Sequence, residues 1–357
     1  MHTHEPSRRL LELLRIDWPI IQAPMAGVST PQMAAAVSNA GGLGSIGVGA
    51  MSASAAAQAI EAFRAFSQRS LNVNVFCHAP ARADPAREAA WINRLRPQFE
   101  ALQAQAPATL REIYTSFTVD EAMFNTLLAA RPAVVSFHFG LPPPEWIRAL
   151  REAGIVLIAT ATSLAEAKAS VEAGVQVIVA QGYEAGGHRG IFDPQGRDDQ
   201  LGTVALTRIL SRAMSVPVIA AGGIMDGRGI AAALHLGAAA VQLGTAFVGT
   251  DESAADAGYR RALGSDAAYH TVMTRAISGR PARCLANRFT ALAAQVRADE
   301  VPAYPVAYDA GKALHAAAKA AGESGFGAQW AGQGAPLARR LGAGALMAAL
   351  VQELTDG

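Results

Sequence analysis

A single histidine inside a glycine-rich segment is the feature of this sequence with the clearest chemical content. Residues 181–190 read QGYEAGGHRG and follow a short apolar run, Val177 to Ala180, that is typical of a buried strand. Glycines let the backbone approach a ligand closely, and the ordinary pKa of an imidazole lies near physiological pH. The segment therefore predicts a reaction centre on a barrel rim, with His188 as the catalytic candidate. The simpler alternative is a loop with a solvated histidine.

Two later strands are also predicted to end in glycine. Residues 217–224 read PVIAAGGI, and residues 239–247 read AAVQLGTAF, a strand with Gly244-Thr245 at its end. Such a pair matches the phosphate site that follows strands 7 and 8 of a (β/α)8 barrel, where backbone N–H groups bind the phosphate. The alternative is that these glycines only form tight turns, but their pairing favours a phosphate site.

Composition limits the class of protein. The chain has 357 residues, of which 51% are hydrophobic and 17% charged, with a net charge of +1. This length suits one large barrel with an insertion, or two ordinary domains. The near-zero net charge gives no electrostatic reason to expect nucleic acid or a membrane surface as a partner. Cys77 and Cys284 make no disulfide framework, which fits a reducing cytoplasm.

Targeting, membrane and metal signals are not expected from the sequence. The N-terminal residues lack the apolar region of a secretory signal, and no run approaches the roughly 18 apolar residues of a membrane span. The eight histidines have no metal-ligand spacing, so no metal site is predicted.

Strands and helices alternate over most of the chain. Predicted strands cover residues 19–24, 43–46, 71–76, 133–138, 155–159, 177–180, 217–224 and 239–247, and predicted helices cover residues 30–39, 52–66, 142–153, 163–173 and 226–236. Residues 80–131 are longer than one crossover needs and are expected to hold extra helices. Eight short apolar runs separated by helices predict a closed (β/α)8 TIM barrel. A doubly wound open sheet is the alternative, although no GxGxxG follows the first strand.

The chain divides into three predicted regions. Residues 1–250 are assigned to the barrel. Residues 251–310 hold four of the six tyrosines and the loop Ser278-Gly-Arg-Pro281, and they are expected to form a smaller helical substrate or lid region over the barrel mouth. The alternative for each tyrosine is packing between peripheral helices. Residues 311–357 are expected to be C-terminal helices that complete the barrel.

Seven segments together resemble the nitronate monooxygenase family, formerly called 2-nitropropane dioxygenase. They are residues 22–27 (QAPMAG), 38–44 (SNAGGLG), 72–74 (NVN), 136–140 (SFHFG), 184–190 (EAGGHRG), 221–223 (AGG) and 242–245 (QLGT). The resemblance runs from about residue 19 to residue 312. AGG and QLGT are common among barrels, whereas SFHFG followed by EAGGHRG is specific and resembles the class I branch.

The resemblance implies an FMN-dependent barrel enzyme that oxidises alkyl nitronates with O2 to a carbonyl compound and nitrite, a detoxifying reaction. The typical class I substrate is propionate 3-nitronate, an anionic toxin. His188 is the implied catalytic residue. The implied cofactor contacts are Ala23, Pro24, Met25, Ala26, Asn74, Gln181, Gly186, Gly187, Gly222, Gly223, Gln242, Leu243, Gly244 and Thr245. The implied substrate contacts are Tyr114, His138, Tyr259, Tyr304, Tyr308 and Lys312.

These residue types suit the implied chemistry. The primary amides of Asn74 and Gln181 supply both donors and acceptors, as the flavin edge requires. His188 can act as a general base on a neutral nitroalkane, or it can hydrogen-bond the nitro oxygens of a preformed nitronate. Lys312 can attract a substrate carboxylate, and it shares a helical stripe with Tyr304 and Tyr308 if that stretch is helical. His138 is equally compatible with a core histidine.

Two other functions remain open from the sequence. One is an NAD(P)H-dependent flavin quinone or enoyl reductase on the same barrel. The other is a barrel isomerase or lyase that binds a substrate phosphate without flavin. The protein is expected to be a monomer or a homodimer, with a small-molecule nitronate and O2 as its partners.

Overall fold

Eight parallel strands form the centre of the computed structural model, which describes residues 5–356. The strands are β1 (Ile20–Gln22), β2 (Gly44–Gly47), β3 (Leu71–Phe76), β4 (Val134–His138), β5 (Val156–Ala161), β6 (Val177–Gln181), β8 (Val218–Ala221) and β9 (Ala240–Leu243), with the two-residue β7 (Gly187–His188) between β6 and β8. They pair in the order β1-β9-β8-β6-β5-β4-β3-β2. A parallel bridge between Ile21 and Leu43 closes the sheet. The predicted (β/α)8 barrel is therefore confirmed.

Helices follow the strands as the alternation predicted. They are α1 (Glu5–Leu14), α2 (Pro31–Asn39), α3 (Ala53–Phe66), α4 (Pro85–Ala101), α5 (Glu121–Ala130), α6 (Pro144–Glu152), α7 (Leu164–Glu172), α8 (Thr203–Ala213), α9 (Gly227–His235), α10 (Thr245–Val248), α11 (Ala257–Leu263), α12 (Arg288–Leu292), α13 (Val306–Ala320) and α14 (Ala343–Asp356). Thr30 caps α2 by accepting from the Met33 amide, and Pro31 occupies the first turn. The extra helices expected in residues 80–131 are α4 and α5.

The predicted last strand was wrong beyond Leu243. The chain turns at Gly244, and residues 245–248 form α10 instead of continuing the strand. Phe247 is fully buried in the apolar cluster that also contains Val241. A short buried apolar run has the same composition in a strand and in a helical turn, so periodicity alone could not separate them.

The last helix completes the barrel wall. Leu346, Met347 and Leu350 of α14 pack against Val37 of α2 and Ile230 of α9. This contact closes the helical layer beside β1 and β9. Within residues 5–356, no helix combines the length and the apolar character needed to cross a membrane.

A cap covers the carboxyl ends of the strands. It includes α11, α12, α13 and an antiparallel hairpin of β10 (Thr271–Thr274) and β11 (Ala282–Leu285). β11 also pairs with β7, placing Ala282 opposite His188. The sequence did not predict this hairpin. It also did not predict the third strand of the sheet, β7, which is only two residues long. The expected boundary between residues 310 and 311 lies inside α13, which packs on α4.

Candidate active site

A cavity of about 610 Å³ lies between the carboxyl ends of the barrel strands and the cap. This is the face on which (β/α)8 barrels carry their active sites, and the volume is ordinary for a small-molecule or cofactor site. Its inner wall is formed by residues that end β1, β3, β4, β6, β8 and β9. Its outer wall is formed by α11, α13 and residues 327–334.

Almost every site residue named from the sequence lines this one cavity. They are Ala23, Pro24, Met25, Ala26, Asn74, Tyr114, His138, Gln181, Gly186, Gly187, His188, Gly222, Gly223, Gln242, Gly244, Thr245, Tyr259, Tyr304, Tyr308 and Lys312. Leu243 is the exception, because its side chain does not line the cavity. It is 1% exposed and packs with Ile20 and Val241 in the barrel wall, because alternate residues of a strand point to opposite faces.

His188 is held by contacts on both its ring and its backbone. The ring Nε2 lies 2.9 Å from Ser278 Oγ. The backbone carbonyl accepts from Gln181 Nε2 at 3.0 Å and from His138 Nε2 at 3.2 Å. Since β7 is also paired with β11, the histidine is fixed by the barrel on one side and by the cap on the other.

Burial lowers the pKa of both His188 and His138, which favours neutral imidazoles. The pKa of His188 is lowered to about 3, chiefly by burial, with smaller contributions from His138, Arg280 and His78. Burial likewise lowers the pKa of His138 to about 4. A ring with so low a pKa is a weak proton acceptor, so the site favours hydrogen bonding by His188 over proton removal.

The two amides named from the sequence are used differently. Gln181 Nε2 donates to the His188 carbonyl and Gln181 Oε1 accepts from the Gly190 amide at 2.7 Å, so this side chain holds the loop that carries His188. Asn74 Nδ2 donates to the Ser136 carbonyl and hydroxyl oxygens at 3.1 and 2.9 Å. Asn74 Oδ1 has no partner among residues 5–356 and remains an acceptor at the cavity wall.

Two arginines beside residues 184–190 contact other protein groups and not the cavity. Arg189 forms an ion pair with Asp198 at 2.9 Å and donates to the Gln181 carbonyl. Arg280 is buried, donates to the Ile191 carbonyl and lies 4.3 Å from the ring centre of Phe139. Neither guanidinium lines the cavity. Arg280 acts on it through its charge, since it lies behind the Phe139 wall.

Lys312 and three tyrosines form one part of the cavity wall, and the rings of Tyr304 and Tyr308 lie 5.4 and 6.0 Å from the His188 ring, centre to centre. Lys312 Nζ lies 4.9 Å from the ring centre of Tyr114 and 5.4 Å from that of Tyr308. Tyr308 and Lys312 share one face of α13, and Tyr304 precedes the helix. Burial lowers the pKa of Lys312, partly opposed by the negative charge of Asp309. Lys312 is exposed, and its ammonium lies over two aromatic rings at the edge of the cavity.

Sequence reasoning missed three residues that contact the His188 ring. Trp330 lies 4.9 Å from the His188 ring, centre to centre, and its carbonyl accepts from the Tyr259 hydroxyl. Phe139 lies 5.6 Å from His188. Ser278 carries the only side chain that hydrogen-bonds the His188 ring within residues 5–356. The sequence signals were a tryptophan between glycine-containing segments and the unassigned loop Ser278-Gly-Arg-Pro281.

Protein packing requires glycine at some positions of the cavity rim and not at others. A Cβ on Gly222 would lie 2.5 Å from Thr203 Oγ1, and one on Gly186 would lie 2.4 Å from the Gly332 amide nitrogen, so packing explains both. Gly244 has an ordinary negative φ, and a Cβ there would meet only Ala23 and Met25 at 3.4 and 3.6 Å. Protein packing does not demand glycine at this position, so the backbone here is open to the cavity.

Relatives of known name match nearly the whole chain. The chain is 61% identical over 347 residues to the nitronate monooxygenase of Paraburkholderia phytofirmans, covering 97% of this chain and 95% of the relative. It is 53% identical over 346 residues to that of Pseudomonas aeruginosa strain PAO1, covering 97% and 99%.

Two solved structures also match nearly the whole chain. A nitroalkane oxidase from Streptomyces ansochromogenes has a TM-score of 0.88 at 40% identity, covering 97% of this chain and 98% of that one. FabK from Thermotoga maritima has a TM-score of 0.73 at 30% identity, covering 98% and 96%. The family model described as nitronate monooxygenase matches residues 7–353. The chain therefore belongs to the nitronate monooxygenase family and is an oxidoreductase that acts on nitronates.

Proposed function

We propose that this enzyme uses bound FMN and O2 to oxidise anionic alkyl nitronates that carry a carboxylate, with propionate 3-nitronate as the model substrate. The products are a carbonyl compound and nitrite. The observation that carries the proposal is the Lys312 ammonium, which faces the same cavity as the neutral His188 ring. Among the described residues, Asp256 is the one acidic side chain on the cavity wall, and it is already paired with His315 at 3.4 Å.

The residues present fit FMN. Asn74 Oδ1 offers an unpaired acceptor for a ring N–H, and Gly244 leaves room for close approach. The adjacent turns at Gly222-Gly223 and Gly244-Thr245 match a site for one phosphate held by backbone amides, which favours FMN over FAD. When bound, FMN supplies the electron transfer from the nitronate to O2.

The protein's own residues bind and orient the substrate. Lys312 attracts the carboxylate, and His188 hydrogen-bonds the nitro oxygens. The rings of Phe139, Tyr304 and Trp330 surround His188 and exclude water from the reacting carbon. A preformed nitronate needs no proton removal, which agrees with an imidazole whose pKa burial lowers to about 3.

The decisive experiment measures nitrite release and O2 uptake by the purified yellow protein with propionate 3-nitronate. Mass spectrometry of the heat-released chromophore identifies the flavin. Nitrite formation with FMN supports the proposal, whereas FAD, or a colourless folded protein, contradicts it. A colourless protein would instead point to a phosphate-binding isomerase or lyase.

A flavin reductase is the second candidate, because the same barrel and glycine-lined cavity would serve a flavin enzyme that is reduced by NADH or NADPH. Anaerobic oxidation of NADH or NADPH by the purified protein tests it. Rapid nicotinamide oxidation without nitronate turnover would favour the reductase. We also propose a cytoplasmic location, which agrees with the free buried thiols of Cys77 and Cys284. A detoxifying role follows if the substrate is a toxic nitronate such as propionate 3-nitronate. The oligomeric state, monomer or homodimer, is open to measurement by light scattering.

A further inference from the structure

The cap loop at residues 275–281 contributes one buried hydroxyl to the histidine. Ser278 is 1% exposed, and its Oγ lies 2.9 Å from His188 Nε2, although the two residues are 90 positions apart in the chain. Nδ1 of the same ring has no hydrogen-bond partner within residues 5–356, and it is not among the buried unpaired atoms. Nε2 therefore faces the protein and Nδ1 is accessible from the cavity.

The loop that carries Ser278 is tightly fixed. The Gly279 amide donates to the Arg275 carbonyl at 2.7 Å. Gly279 has φ +95°, and a Cβ there would lie 2.5 Å from the Tyr304 amide nitrogen. On the other side, the Arg280 guanidinium stacks on Phe139. The loop is thus held against two walls of the cavity, which gives Ser278 a defined position rather than a range of positions.

Distances indicate which way the hydroxyl proton points. The Ser278 hydroxyl has one proton and two acceptors within reach, His188 Nε2 at 2.9 Å and the Arg280 carbonyl at 3.3 Å. Hydroxyl donors normally lie 2.5–3.0 Å from an oxygen acceptor, so the carbonyl is too distant for a good bond. The Arg280 amide, 3.4 Å away, can only donate to Ser278 Oγ. The arrangement favours donation from Ser278 to Nε2.

A neutral imidazole carries a proton on only one nitrogen. If Nε2 accepts from Ser278, the ring proton must be on Nδ1. Burial keeps the ring neutral, with the pKa of His188 near 3. The cavity then receives an N–H donor rather than a lone pair, and a donor is what an anionic nitro group requires.

We propose that Ser278 is a positioning residue that donates to His188 Nε2 and thereby fixes the tautomer with the N–H on Nδ1, directed at the nitronate oxygens. The part concerning the nitronate rests on the proposed function. The tautomer itself is a property of the protein and can be measured without turnover.

The direct test is the two-bond ¹H–¹⁵N correlation spectrum of ¹⁵N-histidine-labelled holoenzyme. Protonated and unprotonated ring nitrogens have well-separated shifts, and the His188 signals are those lost in His188→Asn. The expected result is a protonated Nδ1 and an unprotonated Nε2. A protonated Nε2 in the wild type overturns the proposal. A tautomer as expected in a protein that releases no nitrite would retain the inference about Ser278 and reject the proposed function.

Variants provide the second test. Ser278→Ala should give mixed tautomers and lower kcat/KM for a nitronate by about 2- to 13-fold, the value of one neutral hydrogen bond. Ser278→Thr keeps the hydroxyl and should therefore keep the single tautomer and the wild-type kcat/KM. The matched control is Ser38→Ala, another fully buried serine, whose Oγ donates to the Ser70 carbonyl at 2.8 Å away from the cavity.

The control separates positioning from stability. Ser38→Ala should lower the melting temperature without changing the His188 spectrum or kcat/KM. Equal kinetic losses in Ser38→Ala and Ser278→Ala would overturn the positioning role, as would an unchanged spectrum in Ser278→Ala. If Ser278→Ala does not fold, the wild-type and Ser278→Thr spectra still decide, because the same tautomer is required in both.

Discussion

Replacing Lys312 with methionine should impair only substrates that carry a carboxylate. The ammonium lies over the rings of Tyr114 and Tyr308, and it faces a cavity whose acidic residue, Asp256, is paired with other groups. Methionine keeps most of the apolar stem in contact with both rings. The substitution therefore removes the charge with little change in the shape of the wall.

The size of the effect follows from the kind of bond that is lost. A hydrogen bond to a charged group contributes about 1.5–3 kcal/mol, which corresponds to roughly a 10- to 150-fold loss in kcat/KM for propionate 3-nitronate. An alkyl nitronate without a carboxylate makes no such bond and should lose less than about 3-fold. The lost cation–π contacts should cost about 0.5–1 kcal/mol of stability.

Initial rates of nitrite release on propionate 3-nitronate and ethyl nitronate measure this difference. The control is Lys168→Met, which removes the charge of an exposed lysine on α7, away from the cavity. Parallel losses on both substrates would refute the reasoning and show that Lys312 supports the site's shape. The carboxylate would then need another partner. Arg189 is paired and Arg280 lies behind Phe139, so His315 and Lys319 on the cavity wall would be tested next.

Four further outcomes are expected. The pH profile of kcat/KM for the carboxylated nitronate should fall on the alkaline side below the ordinary lysine pKa, since burial lowers that of Lys312, and this limb should vanish in Lys312→Met. His188→Asn should lose similar factors on ethyl nitronate and on neutral nitroethane; a far larger loss on nitroethane would restore the general-base role. Because the pKa of His188 falls from 6.5 to about 3 on folding, the unfolded chain binds more protons between these values. The melting temperature should thus fall as the pH drops below 6.5, and less steeply in His188→Asn. Gly244→Val should fold but purify without flavin, because its side chain would fill the space left for the cofactor; full flavin content would contradict the proposed contact.

The barrel was predictable because its determinants are local. Short apolar runs such as Val177 to Ala180 alternate with helices that start at recognisable caps such as Thr30. Parallel strands bring their carboxyl ends to one rim, so residues that follow different strands must meet there. That is why Asn74, His138, Gln181 and Gly223 could be assigned to one site without a structure.

The cap was less predictable because its pairing is remote and short. β7 has only two residues, and it becomes a strand because β11, almost 100 positions later, lies beside it. No periodicity can be read from two residues. The limit of β9 at Leu243 was missed for a similar reason, since the apolar run continues into α10.

The barrel and the family could be predicted from the sequence, and nearly all the site residues named from it lie on the cavity wall. How those residues are held and protonated depends on the tertiary structure. It places Ser278 and Trp330 beside His188, puts Arg280 behind Phe139, and engages both ends of the Gln181 amide in holding the loop that carries His188. It also lowers the pKa of His188, because burial and neighbouring positive charge both disfavour the imidazolium. Residue types limit which hydrogen bonds are possible. The protonation state and the hydrogen-bond partners of each residue depend on distance and burial, which arise only when segments remote in the chain pack together.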